Sequence, residues 1–217
     1  MSFCGTSLGR ATRRRSILLV SQNVSLPARR RTWQQAEALA ARGWQVSAIC
    51  PRSGGAKARE VLSGVLIERF PQVFAGRNRT GLIVEYAWAF LAITFFALRV
   101  RLRGPVDVVQ VVNPPDWLFA PAVMLRLTGS QIVFDMTDLS TAVYAAKFGR
   151  GGWLYRRVAG LLRTTLRSAD LVITANEAYR RIARRLGGRV ESSTIAIHSF
   201  PEPVEARPRE IQSPLRV

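Results

Sequence analysis

The chain predicts a single α/β domain: a doubly wound, mostly parallel sheet of about seven strands with helices against it. Three observations carry this. Short aliphatic runs such as "SILLV", "QVSAIC", "DVVQVV" and "QIVF" show little polar alternation, as strands buried on both faces require. Helical segments separate most of these runs, and strand–helix alternation is the pattern of a parallel sheet wrapped by helices. A length of 217 residues with 48% hydrophobic content supplies enough apolar surface for one large core.

The elements follow in order. "MSFCGTSLGRATRRRS" has the charge of a secretion-signal start, but the apolar "ILLV" behind it is too short for the hydrophobic region of a signal. Residues 1–15 are therefore expected to be a basic disordered tail, 16–203 the domain, and 204–217 a proline-rich tail or truncated linker. The first strand spans 16–22. "TWQQAEALAARG" follows, with Trp33, Ala36, Leu39 and Ala40 at helical spacing and Gly43 as the stop. "WQVSAICP" is the second strand, and 64–71 the third after a polar loop. A helix over 82–102 leads to the fourth strand within "PVDVVQVVNPPD". Helix 117–127, strand "SQIVFD", helix 153–167, strand "ADLVITANE", helix 177–186 and strand "STIAIHSFP" complete the order. The sheet is expected to reverse direction near the first and fourth strands, where such folds bind ligands.

The charge is extreme: 32 basic against 14 acidic residues, a formal net of +18, with lysine only at Lys57 and Lys147. Arginine is planar and permanently charged, so the surface suits an anionic partner: a phospholipid surface, a phosphorylated substrate or nucleic acid. A GC-rich coding sequence equally explains arginine in place of lysine, though not the scarcity of carboxylates. A nucleic-acid module would interleave aromatic with basic residues. Here the aromatics cluster in one apolar helix, so no nucleic acid is expected. Cys4 and Cys50 lack metal-ligand spacing and fit a reduced, cytoplasmic protein.

Helix 82–102 stands out. Tyr86 to Leu98 carries no charge, and Arg99, Arg101 and Arg103 follow. The run is shorter than the roughly 20 residues of a membrane span. Two readings remain: a buried crossover helix, or a helix lying in the interface of an anionic membrane. In the second, Trp88, Phe90, Phe95 and Phe96 would enter lipid and the arginines would meet headgroups, placing the protein peripherally on the inner face of the plasma membrane. A helix apolar all round must bury both sides, and a domain surface offers one.

Candidate site residues lie after the strands. The first loop lacks the glycine fingerprint of dinucleotide binding. It carries Asn23 and then Arg29, Arg30 and Arg31 at a helix start, where guanidinium groups and a helix N-terminus hold phosphate or form a solvated basic turn. "NPPD" offers Asn113 and Asp116, the latter placed to cap the next helix; "TANEAY" offers Asn176 as a cap and Glu177 in the first helical turn. Asp135 and Asp138 are weak catalytic candidates: Asp135 at a strand end, Asp138 placed to cap a helix or bond the loop. Two carboxylates without a nearby histidine make a poor metal site, and no metal is expected.

The motifs "RRRTWQQAEALAARGWQVSAICP", "GVLIERFP", "VVQVVNPPDWL", "VFDMTDLSTAVYAAKF", "SADLVITANEAYRR" and "IAIHSFP", taken in this order, resemble the Rossmann-like N-terminal domain of family-4 retaining glycosyltransferases. That family has the GT-B architecture of two such domains. The resemblance implies the acceptor-side wall of an interdomain cleft, a nucleotide-sugar donor held by a C-terminal domain, and lipid-linked or polyprenyl-phosphate sugar acceptors. Three positions depart from the family pattern. Arg29 stands where an aspartate is usual, Met136-Thr137 where a histidine is common, and Thr141-Ala142 where a Pro-Glu pair follows. The only histidine, His198, follows the seventh strand. No C-terminal donor segment is present, so the chain alone is expected to transfer no sugar. It is a fragment, the partner of a separately encoded C-terminal half, or a non-catalytic membrane-associated binder of a glycan or partner. It needs no cofactor of its own.

Overall fold

A computed structural model describes residues 13–72, 79–149, 151–188 and 191–198. The expected C-terminal tail at 204–217, and the N-terminal tail up to residue 12, lie outside the described residues. Eight strands form one sheet: β1 (Ser16–Ser21), β2 (Gln45–Pro51), β3 (Arg59–Leu62), β4 (Val65–Phe70), β5 (Val108–Val112), β6 (Gln131–Met136), β7 (Leu171–Thr174) and β8 (Thr194–Ala196). The helices are α1 (Arg30–Ala41), α2 (Arg79–Arg103), α3 (Phe119–Arg126), α4 (Ser140–Phe148), α5 (Gly152–Ser168) and α6 (Glu177–Gly187). The strand order is β3-β4-β2-β1-β5-β6-β7-β8, parallel throughout except for the β3–β4 pair. The chain winds one way through β1, β2 and β4, crosses back along α2, and winds the other way from β5. The reversal falls between β1 and β5, the first and fourth strands of the sequence reading.

Two elements exceed that reading. The strand count of about seven misses β3, "REVL", a short, half-exposed edge strand without an apolar run. A tight turn joins it to β4, with Ser63 (φ 46°) and Gly64 (φ 77°) both left-handed, as two-residue hairpins require. Helix α4 is also unannounced by its sequence. It packs on α5 rather than on the sheet, with Tyr144 and Tyr155 rings 6.2 Å apart, so it needs no long apolar stripe.

The helices divide unequally between the faces. Residues of α2, α3, α5 and α6 cover one face in a core built around Leu18, Ile49, Phe70, Phe134 and Met136. Helix α1 covers Ile17, Leu19, Ala48 and Ile67 on the other, with Trp33 and Leu39 packed against them. Residues 13–15, expected within the tail, are instead tied to the sheet. Arg13 pairs with Asp107, the Arg15 guanidinium lies 5.8 Å from the Trp44 ring centre, and the Arg15 carbonyl accepts from the Gln45 amide at 2.9 Å. A strand edge offers these arginines an acid, a ring and a backbone donor that a free tail lacks.

Candidate functional site

Pairing of Ser21 with Val112 and of Val112 with Asp135 brings the ends of β1, β5 and β6 side by side, with the start of α1 above them. Burial there favours polar groups that find partners, and most do. Asn113, fully buried after β5, is the hub. Its Oδ1 accepts from the amides of Thr137 (2.7 Å) and Asp138 (3.2 Å), and its Nδ2 donates to the Asp138 carbonyl (2.7 Å) and to Asp116 Oδ1 (3.2 Å). Its own carbonyl accepts from Thr137 Oγ1 (2.7 Å) and from Arg29 Nη2 (2.6 Å). One asparagine thus fastens the loop after β6 to the loop after β5.

Arg29 sits at the mouth of this crevice, just before α1. Its Nη2 donates only to neutral acceptors, the Asn113 carbonyl and Thr137 Oγ1 (3.1 Å). Burial lowers its pKa; Asp135 and Asp138 work in the opposite direction and Arg31 adds to the lowering. Arg31 is engaged differently. Its Nη2 and Nε clamp Asp135 at 3.1 and 3.3 Å, and its Nη1 donates to the Ile197 carbonyl at 2.6 Å. Asp135 is fully buried, and its Oδ2 also accepts from Gln35 (3.3 Å) and Gln110 (3.4 Å). Gln110 Nε2 donates in turn to Gln35 Oε1 at 2.6 Å. Asp135 therefore anchors Arg31 and α1 to the sheet and presents no surface to a reactant.

The cap assignment of Asp116 is corrected, and Asp138 takes the second of its two expected roles, bonding the loop. Asp116 opens a short 3₁₀ turn without a side-chain cap, and Asp138 lies ahead of α4, whose N-cap residue Leu139 provides none. In both places Asn113 engages the nearby groups first. Asp116 is buried beside Ser140, its Oδ2 has no hydrogen-bond partner, and burial raises its pKa against the opposing influence of the nearby Ser140 hydroxyl and the hydrogen bond from Asn113. The Asn176 cap stands: its Oδ1 accepts from the Tyr179 amide at 2.8 Å, and Glu177 in the first turn pairs with Arg180 at 3.4 Å. Asn23 and Arg30 are exposed on the first loop and helix start, and His198 is exposed after β8.

Of the residues read as membrane contacts, Phe95 and Arg99 face outward. Trp88 is half-buried and donates from Nε1 to the Pro71 carbonyl at 2.8 Å. Phe96 packs against the core, and Phe90 lies against Trp117. Arg101 donates to Thr128 Oγ1 at 3.0 Å, and Arg103 pairs with Glu68 at 2.5 Å. Sequence reasoning missed Gln35, Gln110 and Thr137. The one available signal was Gln110 itself, a polar residue in the middle of "VVQVV".

The chain matches the family described as glycosyl transferase 4-like domain over residues 28–197. No curated protein sequence matches significantly. Among solved structures, sucrose-phosphate synthase from Thermosynechococcus elongatus superposes with a TM-score of 0.62 at 19% identity, over 85% of this chain and 48% of that one. UGT73P12 from Glycyrrhiza uralensis, solved with glycyrrhetinic acid 3-O-monoglucuronide, gives 0.57 at 11% identity, over 87% and 49%. UGT2 from Phytolacca americana, solved with UDP-2-fluoro-glucose and pterostilbene, gives 0.55 at 12%, over 87% and 54%. The chain thus spans about half the length of these proteins, and the likeness is one of fold.

Proposed function

The chain belongs to the glycosyl transferase 4-like domain family, a Rossmann-like half of the GT-B architecture, and from that premise we propose that it is the acceptor-side half of a nucleotide-sugar-dependent hexosyltransferase of cell-surface glycan or glycolipid synthesis. The observation that carries the acceptor role is Arg29: a half-buried guanidinium at the switch-point crevice, bonded only to neutral oxygens. A desolvated cation without a carboxylate partner is costly, and an anionic group on the acceptor would offset that cost. The start of α1 adds partial positive charge at the same place.

The chain's residues supply one wall of a cleft. The Asn113 hub fixes the loop carrying Thr137, and the Arg31–Asp135 clamp fixes α1, so Arg29 is presented on a rigid floor. In this reading a C-terminal half holds the nucleotide sugar and closes the cleft against water, which an oxocarbenium-like transition state needs. The chain by itself is then inactive. Asp135, with both oxygens engaged and no exposure, positions rather than reacts.

Titration of the chain with a sugar phosphate, followed by amide NMR, tests the acceptor role. Shifts are expected at Thr137 and the start of α1. Arg29→Ala should weaken binding about ten- to a hundredfold, the loss of a charged hydrogen bond. Unchanged affinity in that variant sinks the crevice assignment. Turnover of a nucleotide sugar by the purified chain alone would contradict the half-enzyme reading.

Met136-Thr137, standing where the resemblance leads one to expect a histidine, favours a second reading, a non-catalytic membrane-associated glycan- or partner-binding protein. The two separate on adding a candidate donor half: transfer supports the enzyme, and binding without transfer supports the binder.

A further inference from the structure

Helix α2 is built inside out. Its fully buried residues are mostly small, Ala89, Ala92, Ala97 and Val100 beside Ile93, while Phe90 and Phe96 are partly buried at the edges of the contact. Its outward residues are large and apolar: Val84, Leu91 (63% exposed), Phe95 (61%), Leu98 and Leu102 (87%). These recur at helical spacing along one stripe about 27 Å long, at a rise of 1.5 Å per residue. The stripe continues sideways. Arg101 Nε reaches Thr128 Oγ1, which sets the end of α2 beside the end of α3, where Leu127 is 87% exposed.

The charge around this face is mainly positive, with Glu85 at its start beside Val84. Residues 86–106 and 117–134 contain no aspartate or glutamate, whereas Arg99, Arg101, Arg103 and Arg126 lie among them. Two of those arginines are already paired, Arg103 with the buried Glu68 and Arg126 with Asp170; Arg99 is exposed beside the stripe. Among the described residues no helix is long and apolar enough to cross a membrane, so the helix lies on what it binds.

We infer that the outer face of α2 docks in the interface of an anionic phospholipid bilayer, with Leu91, Phe95, Leu98 and Leu102 among the acyl chains and Arg99 at the headgroups. A second copy of the chain fits less well. The stripe offers about 270 Å² if taken as about 10 Å wide, against about 800 Å² per partner in a stable interface. Two chains of net charge +18 also repel each other, whereas a phosphate surface attracts both. The inference stands on α2 alone and is independent of the sugar-transfer reading.

Flotation of the full chain with phosphatidylglycerol/phosphatidylcholine vesicles tests it. The chain should float with these vesicles and much less with phosphatidylcholine alone, and added salt should weaken the binding. The double substitution Leu91→Ser with Phe95→Ser should leave it in the soluble fraction, with a retained cooperative thermal melt showing that the fold survives. Arg99→Gln should weaken binding severalfold. Failure to bind the anionic vesicles overturns the inference. So does equal binding by the double variant, which would assign adhesion to other arginines. A dimer in sedimentation that the same substitutions abolish, without vesicle binding, would assign the stripe to a second copy. Loss of the sugar-phosphate response leaves all these outcomes untouched.

Discussion

The crevice at the ends of β1, β5 and β6 and the outer face of α2 both hold side chains against their usual preference, and they do so in opposite ways. In the crevice, polar groups are buried: Asn113 and Asp135 are fully covered and Asp116 nearly so. On α2, large apolar groups stand in solvent. Burying a polar group is tolerated only when its bonds are made, so the crevice is a closed network whose members depend on one another. Exposing an apolar group costs the fold little, so the α2 stripe is free to vary without loss of the domain. The contrast predicts that substitutions in the crevice act first on stability, and substitutions on the stripe mainly on contacts outside the chain.

The largest effect should come from the clamp. Asp135→Ala leaves Arg31 without its carboxylate and removes one acceptor each from Gln35 and Gln110. Breaking a buried pair from one side costs about 3–5 kcal/mol. Urea denaturation should show a loss of that size, and a change below about 1 kcal/mol would mean that the crevice is no tighter than the surface. Asn113→Ala should come next, at about 2–3 kcal/mol, because it strands buried donors and acceptors in two loops at once. It should also weaken sugar-phosphate binding, since Arg29 then loses its fixed floor, and hydrogen exchange at the Thr137 and Asp138 amides should quicken.

Much of this was legible beforehand. The parallel strands were visible because burial on both faces leaves unbroken aliphatic runs, and the reversal between β1 and β5 followed from their order. Asn113, Asp135, Arg29 and Arg31 were singled out because strand ends are where such a sheet binds, and the structure brings them into one crevice. Their pairing was not legible: Arg31 and Asp135 are distant in sequence, and no local rule couples them. Local rules also misassigned Asp116 as a cap, since capping assumes that a helix start has no better offer, and Asn113 is one; of the two roles open to Asp138, the bond to the loop is the one formed, through its backbone to Asn113. Strand β3 stayed hidden because an edge strand needs no apolar run. On α2 the absence of charge was plain, but which residues face out depends on the helix's rotation against the sheet. That rotation turns Trp88 and Phe96 inward and Leu91 and Leu102 outward.

A smaller, pH-dependent effect separates two carboxylates. Burial raises the pKa of Asp116 in the folded state. Its stabilising contribution is therefore full below the ordinary carboxylate range and is lost as pH rises through the raised value. Asp107 runs the other way. Burial opposes ionisation, but hydrogen bonds from the Ser16 amide, Arg13 and the Ser16 hydroxyl, with the Arg13 charge, lower its pKa overall. Its contribution is present above the ordinary carboxylate range and is lost as pH falls through the lowered value. Urea midpoints against pH should thus rise relative to wild type at neutral pH in Asp116→Asn, and lose part of the acid dependence in Asp107→Asn. Added salt should shrink only the second, because the Arg13–Asp107 pair is partly exposed.

The smallest stability effect belongs to the stripe, and it decides the comparison. Phe95 and Leu91 are mostly exposed, although Phe95 also meets Phe96 edge-on, so converting both to serine should lower the unfolding free energy by no more than about 1–2 kcal/mol, less than either crevice substitution. A larger loss would show that the stripe already packs on another part of this chain, and the contrast with the crevice would collapse. A loss within that bound, with vesicle binding abolished, would mean that the large residues of α2 serve a contact the domain does not make with itself. The alanines on the inner side argue for that outcome, since Ala89, Ala92 and Ala97 let α2 lie close to the sheet while Leu91, Phe95, Leu98 and Leu102 point away.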